Sequence, residues 1–141
     1  MTGPTSSDPM GRRRVLVADE DPKIVAFIID TLRQDGFAVF HAYDGLSAAE
    51  LAFAMDEVHL VITNTRVNGT PGVELVYTLR TRLPNLPILY LANIDRSTPA
   101  IEGRLPRDVP ILREPFTGDQ LREVVGRLLA GKRDMALDVG G

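Results

Sequence analysis

Residues 60–72 read Leu60-Val61-Ile62-Thr63-Asn64-Thr65-Arg66-Val67-Asn68-Gly69-Thr70-Pro71-Gly72. The short apolar run from Leu60 to Thr63 stops at a polar residue, Asn64. A run of this kind is what a strand buried on both faces looks like. The segment from Asn68 to Gly72 is a loop, and Asn68-Gly69 is a turn signal whose simplest role is to shape that loop. Behind it Val73, Leu75, Val76 and Leu79 recur at helical spacing.

The same strand, loop and helix order repeats on both sides. Val15 to Ala18 predicts a strand that ends in the acidic cluster Asp19-Glu20-Asp21. Asp21-Pro22 then opens a helix, with a capping oxygen followed by proline at the first helical position. Ile24, Val25, Phe27, Ile28 and Leu32 continue it, and Gly36 is placed to end it. Phe37 to His41 predicts a second strand, and Leu46 to Met55 a helix with Leu46, Ala49, Leu51, Phe53 and Ala54 apolar. Pro87 to Leu91 and Val109 to Leu112 predict the fourth and fifth strands. The last helix opens at Thr117 with Gln120 three residues on, a capping box. Its apolar positions are Leu121, Val124, Val125, Leu128 and Leu129. Between the fourth and fifth strands, Pro99, Gly103 and Pro106 break residues 95–108, so the fourth helix is expected to be short or irregular.

Five strands alternating with helices imply a parallel sheet covered on both faces. The expected organisation is a flexible arm over residues 1–11, one domain over 12–131 and a tail over 132–141. Arg12, Arg13 and Arg14 are expected to be a solvated lead-in to the first strand. In an open α/β sheet, functional groups gather at the carboxyl ends of the strands. Those ends hold Asp19 to Asp21, Asn64, Ala92 and Glu114.

Bulk composition narrows the function. The chain has 141 residues, 44% hydrophobic and 25% charged, with net charge −3. That charge gives no general pull toward nucleic acid. There is no cysteine, which excludes disulfides, thiolate metal sites and a cysteine nucleophile. His41 and His59 are the two histidines, too few for a His-rich metal cluster. No apolar run approaches the roughly 20 residues that span a bilayer, and the first residues lack the pattern of a secretory signal. A cytoplasmic protein is expected. No Gly-rich phosphate loop, nucleophile–base pair or cofactor signature marks an enzyme. Thr63 and Thr65 are read as packing residues, Tyr90 as core, and the histidines as structural or surface groups.

From about Arg14 to Ala130 the chain resembles the receiver domains of two-component response regulators, the group that includes single-domain chemotaxis regulators. The pieces that carry the resemblance are VLVADEDP (15–22), LVITNTRVNGTPG (60–72), PILYLAN (87–93) and ILREPF (111–116). The resemblance implies a flavodoxin-like, doubly wound five-stranded (βα)5 sheet. It places Asn64 where the family carries its phosphoacceptor aspartate. It matches Asp19 and Glu20 to the acidic pair that helps hold Mg2+, and the Arg66 backbone carbonyl to a further metal ligand. The switch positions become Ala92 for the hydroxyl residue, Ile111 for the aromatic and Glu114 for the lysine. It also allows a cis Glu114-Pro115 bond.

Three of these positions lack the family's chemistry. An amide oxygen is far less nucleophilic than a carboxylate, alanine cannot hydrogen-bond a phosphoryl oxygen, and Glu114 replaces a cation by an anion. The expectation is a pseudo-receiver that works in signal transduction by phosphorylation-independent protein–protein interaction. Its expected partner is a histidine kinase or a downstream effector. A homodimer is possible, although the family's usual face includes the broken fourth helix. Neither nucleic acid nor membrane is an expected partner. One alternative is a module that senses a cation or a small ligand in the acidic pocket, where Asp19, Glu20 and Glu114 could surround a cation with Asn64 and the Arg66 carbonyl adding oxygens. The simpler arrangement has Glu114 swung out, or paired with Arg66 or Arg113. Another alternative is a phosphorelay receiver with a non-standard acceptor, for which Asp19 is the nearest carboxylate.

Overall fold

The computed structural model describes residues 11–140, with side chains described through residue 130. Five parallel strands form the main sheet: β1 (Arg14–Ala18), β2 (Ala38–Ala42), β3 (Leu60–Asn64), β6 (Ile88–Ala92) and β7 (Ile111–Arg113). Their order is β2-β1-β3-β6-β7. Two further short strands, β4 (Arg66–Val67) and β5 (Thr70–Pro71), pair antiparallel across Asn68-Gly69. Asn68 and Gly69 have φ of 52° and 93°. A two-residue turn with both φ positive matches the twist of a hairpin, so the turn signal is realised.

The pleat divides the strand residues between two cores. Val15, Val17, Leu60, Ile62, Leu89 and Leu91 face α1 (Pro22–Gln34) and α5 (Gly118–Gly140). Leu16, Ala18, Val61, Ile88 and Tyr90 face α2 (Gly45–Ala54) and α3 (Gly72–Arg82). Ile101 of α4 (Pro99–Glu102) packs on this second face. The sheet is therefore doubly wound, as the alternation implies.

Local chemistry fixes the helix starts. Asp21 Oδ1 accepts the Lys23 N–H at 2.9 Å and Asp44 Oδ1 accepts the Ser47 N–H at 2.7 Å. The capping box forms as read: Gln120 N–H donates to Thr117 Oγ1 at 3.1 Å, and Thr117 N–H to Gln120 Oε1 at 2.8 Å. Gly36 follows α1 with φ 90°, a left-handed conformation that suits glycine. The fourth helix is a single turn of four residues.

Three expectations need correction. Arg14 is not a solvated lead-in: it is 2% exposed, and its Nη1 donates to the Glu57 carbonyl at 3.0 Å. As the first residue of β1 it is drawn into the sheet, and the bond to Glu57 satisfies part of its charge. Leu46, read as part of the apolar face of α2, is 70% exposed. That helix buries Ala48, Ala49 and Ala52 instead, small side chains that let it lie close to the sheet. The α5 backbone continues through Gly140, beyond the expected tail boundary, since one glycine inside a helix costs only about 1 kcal/mol. The arm over residues 1–11 lies, apart from Gly11, outside the described residues.

Candidate functional site

Parallel pairing sets the ends of β1, β3, β6 and β7 side by side. Ala18 lies opposite Thr63, Asn64 opposite Leu91, and Ala92 opposite Arg113. Asp19, Asn64 and Glu114 leave these ends and meet. Asn64 is 5% exposed and Asp19 1%.

Asn64 joins the two acids. Its Nδ2 donates to Asp19 Oδ2 at 2.7 Å and to Glu114 Oε2 at 2.7 Å. Its Oδ1 accepts the Thr65 N–H at 2.6 Å. With carboxylates on two sides and an N–H on the third, only this orientation of the amide satisfies its neighbours. The second Asp19 oxygen accepts the Asp21 N–H at 2.9 Å.

The electrostatics follow from this geometry. Burial pushes the Asp19 carboxyl above its ordinary pKa; the Asn64 and Asp21 N–H bonds oppose the shift, and the Asp21 and Glu20 charges add to it. Burial likewise pushes Glu114 up, opposed by Asn64 and reinforced by Asp19 and Asp21. A buried carboxyl group resists ionisation unless donors compensate it, and here the two acids share the donors of one amide, with the Asp21 N–H added at Asp19.

Glu114 thus departs from the simpler arrangement read from the sequence. It turns inward to Asn64 rather than outward or onto an arginine. Arg113 is engaged elsewhere: its Nη1 and Nη2 donate to Glu102 at 2.9 and 2.8 Å. The Glu114-Pro115 bond is cis, and the Glu114 N–H donates to the Ala92 carbonyl at 3.1 Å.

Glu20 does not join the cluster. It accepts the Asn68 N–H at 2.5 Å and Arg96 Nη1 at 3.2 Å. Ala92 is buried and Ile111 half-buried against the α2–α3 core. Thr65 ties the strand ends together: its Oγ1 donates to the Leu91 carbonyl at 3.0 Å and accepts the Asn93 N–H at 2.9 Å. Thr63 Oγ1 donates to the Asn64 carbonyl at 3.2 Å. Both hydroxyls are structural, as read. His59 Nδ1 accepts the Arg14 N–H at 2.9 Å, and His41 meets the Tyr43 ring edge-on at 4.8 Å. Tyr90 is fully buried.

A magnesium ion needs several oxygens aimed at one point. The Asp19 and Glu20 oxygens here are aimed at N–H donors, and the Asn64 nitrogen, not its oxygen, faces Asp19. Among the described residues, no group of three or more His, Asp or Glu is arranged to hold a metal. The donor set does not fit the ion in this arrangement.

Sequence reading found Asn64, Asp19 and Glu114 but missed how they bond. It also missed Thr65 as the tie between β3 and β6, and Arg96 as the partner of Glu20. The signal for the first was present: an amide between two acids can only donate to them. Arg96 lies 76 residues from Glu20 and offered no local cue.

The sequence profile of the response regulator receiver domain matches residues 15–125. The response regulator protein FleR of Pseudomonas aeruginosa is 29% identical over 119 residues, covering 84% of this chain and 25% of that protein. The response regulator receiver protein CpdR of Brucella abortus is 26% identical over 116 residues, covering 82% of this chain and 93% of that one. The crystal structure of a response regulator receiver protein from Sinorhizobium medicae superposes with a TM-score of 0.77 at 27% identity, covering 86% of this chain and 97% of that one. This chain spans between a quarter and a half of the length of several curated relatives it matches.

Proposed function

This chain belongs to the response regulator receiver domain family, and we propose that within this family it is a pseudo-receiver whose switch is held in one state by Asn64. Receiver domains are modules of two-component signalling that interact with histidine kinases and effectors. They typically bind Mg2+ at an acidic site.

The observation that carries the proposal is the Asn64 amide held between Asp19 and Glu114. Phosphoryl transfer to a receiver needs a free carboxylate oxygen as nucleophile and positive charge around the incoming phosphoryl oxygens. Here the side-chain oxygen at position 64 belongs to an amide and is bonded to the Thr65 N–H. Two carboxyl groups stand where the phosphoryl group would bring further negative charge. Asp19 is no better an acceptor, since both its oxygens already accept hydrogen bonds.

In this reading the module binds a protein partner, a histidine kinase or an effector in the cytoplasm, without a covalent switch. It performs no catalysis. The same geometry weighs against the cation-sensing alternative, because the Glu20 oxygens are taken by Arg96 and the Asn68 N–H.

Titration with beryllium fluoride and Mg2+, which together imitate a phosphoryl group on a carboxylate, tests the proposal. Backbone amide NMR signals of Asp19, Asn64 and Glu114 are expected to stay in place. Saturable shifts at these residues would contradict it.

A further inference from the structure

A second cleft, of about 510 Å3, lies beside the acidic site and takes no part in the proposal above. Its walls come from three parts of the chain. Arg66 and Pro71 belong to the β4–β5 hairpin, Val73 to the start of α3, and Arg96, Ile101 and Arg104 to the segment around α4. No carboxylate is among the residues that line it.

Its charge is unbalanced. Among the described residues, no hydrogen bond or ion pair reaches the side chain of Arg66 or Arg104. Arg96 spends one Nη1 contact on Glu20 at 3.2 Å and keeps its other N–H donors. Three guanidinium groups sharing one cleft repel each other, and an anion relieves that repulsion. The planar guanidinium fork matches carboxylate and phosphate oxygens two at a time. The neighbouring pocket has the opposite sign, with Asp19, Glu20, Asp21 and Asp95 in its wall. Arg66 and Arg96 border both.

The cleft is held open by bonds on either side. Glu102 of α4 accepts Ser97 Oγ at 2.7 Å as well as Arg113. The Tyr77 hydroxyl of α3 donates to the Arg104 carbonyl. With α4 cut to one turn, no helix covers Arg104. Pro71, Val73 and Ile101 add an apolar wall. The volume falls within the range of small-molecule sites and exceeds what one inorganic ion would fill.

We infer that this cleft binds an organic oxyanion about the size of a mononucleotide, its charged end held by Arg66, Arg96 and Arg104 and its body against Pro71, Val73 and Ile101. The site is independent of the phosphorylation state argued for Asn64.

The test is titration of the intact chain with guanosine monophosphate, citrate and uncharged guanosine, followed by calorimetry and by backbone amide NMR signals. Saturable binding of the nucleotide or of citrate, with shifts in residues 65–73 and 96–104, is expected. The nucleotide reports phosphate as the recognised group, and citrate reports carboxylate. Arg66→Ala and Arg104→Ala should each weaken binding about tenfold or more, the value of a lost charged hydrogen bond. Both positions are exposed, so the variants should melt like the native chain. Absence of saturable binding for both anions would overturn the inference. So would binding that survives in the double variant, or guanosine binding as tightly as its phosphate.

Discussion

At position 64 an amide and a carboxylate differ by two N–H donors. Asn64 uses both, one on Asp19 and one on Glu114. An Asn64→Asp substitution places a third carboxyl group between two whose pKa values are already raised. It should cost about 3–5 kcal/mol of stability at neutral pH, as an uncompensated buried charge does. Adding Glu114→Lys should recover much of this, since a cation would then face the new carboxylate. Urea denaturation of the single and double variants checks both; equal stability of native chain and Asn64→Asp would count against the amide bridge. The pH dependence follows from the same groups. For Asp19 and Glu114, with raised pKa in the fold, the contribution to stability is greatest below the unfolded carboxyl pKa and is lost as pH rises through the raised values. Glu102 and Asp108 run the other way. Hydrogen bonds from Arg113 and Arg80 lower their pKa, so their contribution is present at neutral pH and lost as pH falls. A Glu114→Gln variant removes one raised group only. It should gain stability relative to the native chain as pH rises from the unfolded carboxyl range through the raised folded value, and a change of opposite sign in unfolding free energy would contradict the assignment.

At the scale of elements, the tightest constraint is where β3 meets α3. A Cβ at Gly72 would stand 2.0 Å from the Asn64 carbonyl oxygen and 3.2 Å from the Tyr90 ring. Gly72→Ala should therefore push α3 from the strand end and cost about 2 kcal/mol or more, with the signals of Asn64 and Thr65 displaced in the NMR spectrum. Thr117→Ala, which removes half of the capping box, should cost only about 1 kcal/mol. The elements themselves were legible in the sequence for physical reasons. Buried parallel strands are short apolar runs, and Asp21-Pro22 and Thr117-Gln120 announce helix starts by their own hydrogen-bonding chemistry. The single turn of α4 was legible in Pro99, Gly103 and Pro106. The exposure of Leu46 was not, because helical spacing alone does not say which of two overlapping stripes meets the sheet; the alanines of α2 do. Nor was the burial of Arg14, whose partner Glu57 lies 43 residues away. At the site, which residues meet was legible from the strand ends, whereas the direction of Glu114 depends on a through-space bond to Asn64.

Across the whole molecule, opposite charges are sorted into neighbouring clefts of a receiver scaffold. One side of the strand ends holds acids tied by an amide, and the other holds three arginines, of which only Arg96 pairs with an acid, Glu20, among the described residues. No helix among the described residues is long and apolar enough to cross a membrane. Because a ligand stabilises the fold it binds, Mg2+ should leave the melting temperature of the native chain unchanged. It should raise that of the Asn64→Asp, Glu114→Lys variant, where carboxylate oxygens at positions 19 and 64 are both available. A rise for the native chain, abolished by Asp19→Ala, would instead favour cation sensing. The most direct measurement of the central claim is intact mass after incubation with acetyl phosphate and Mg2+. The native chain is compared with an Asn64→Asp, Ala92→Thr, Glu114→Lys variant. A phosphoryl adduct is expected on the variant and none on the native chain. An adduct on the native chain would contradict this, and its position would identify a non-standard acceptor.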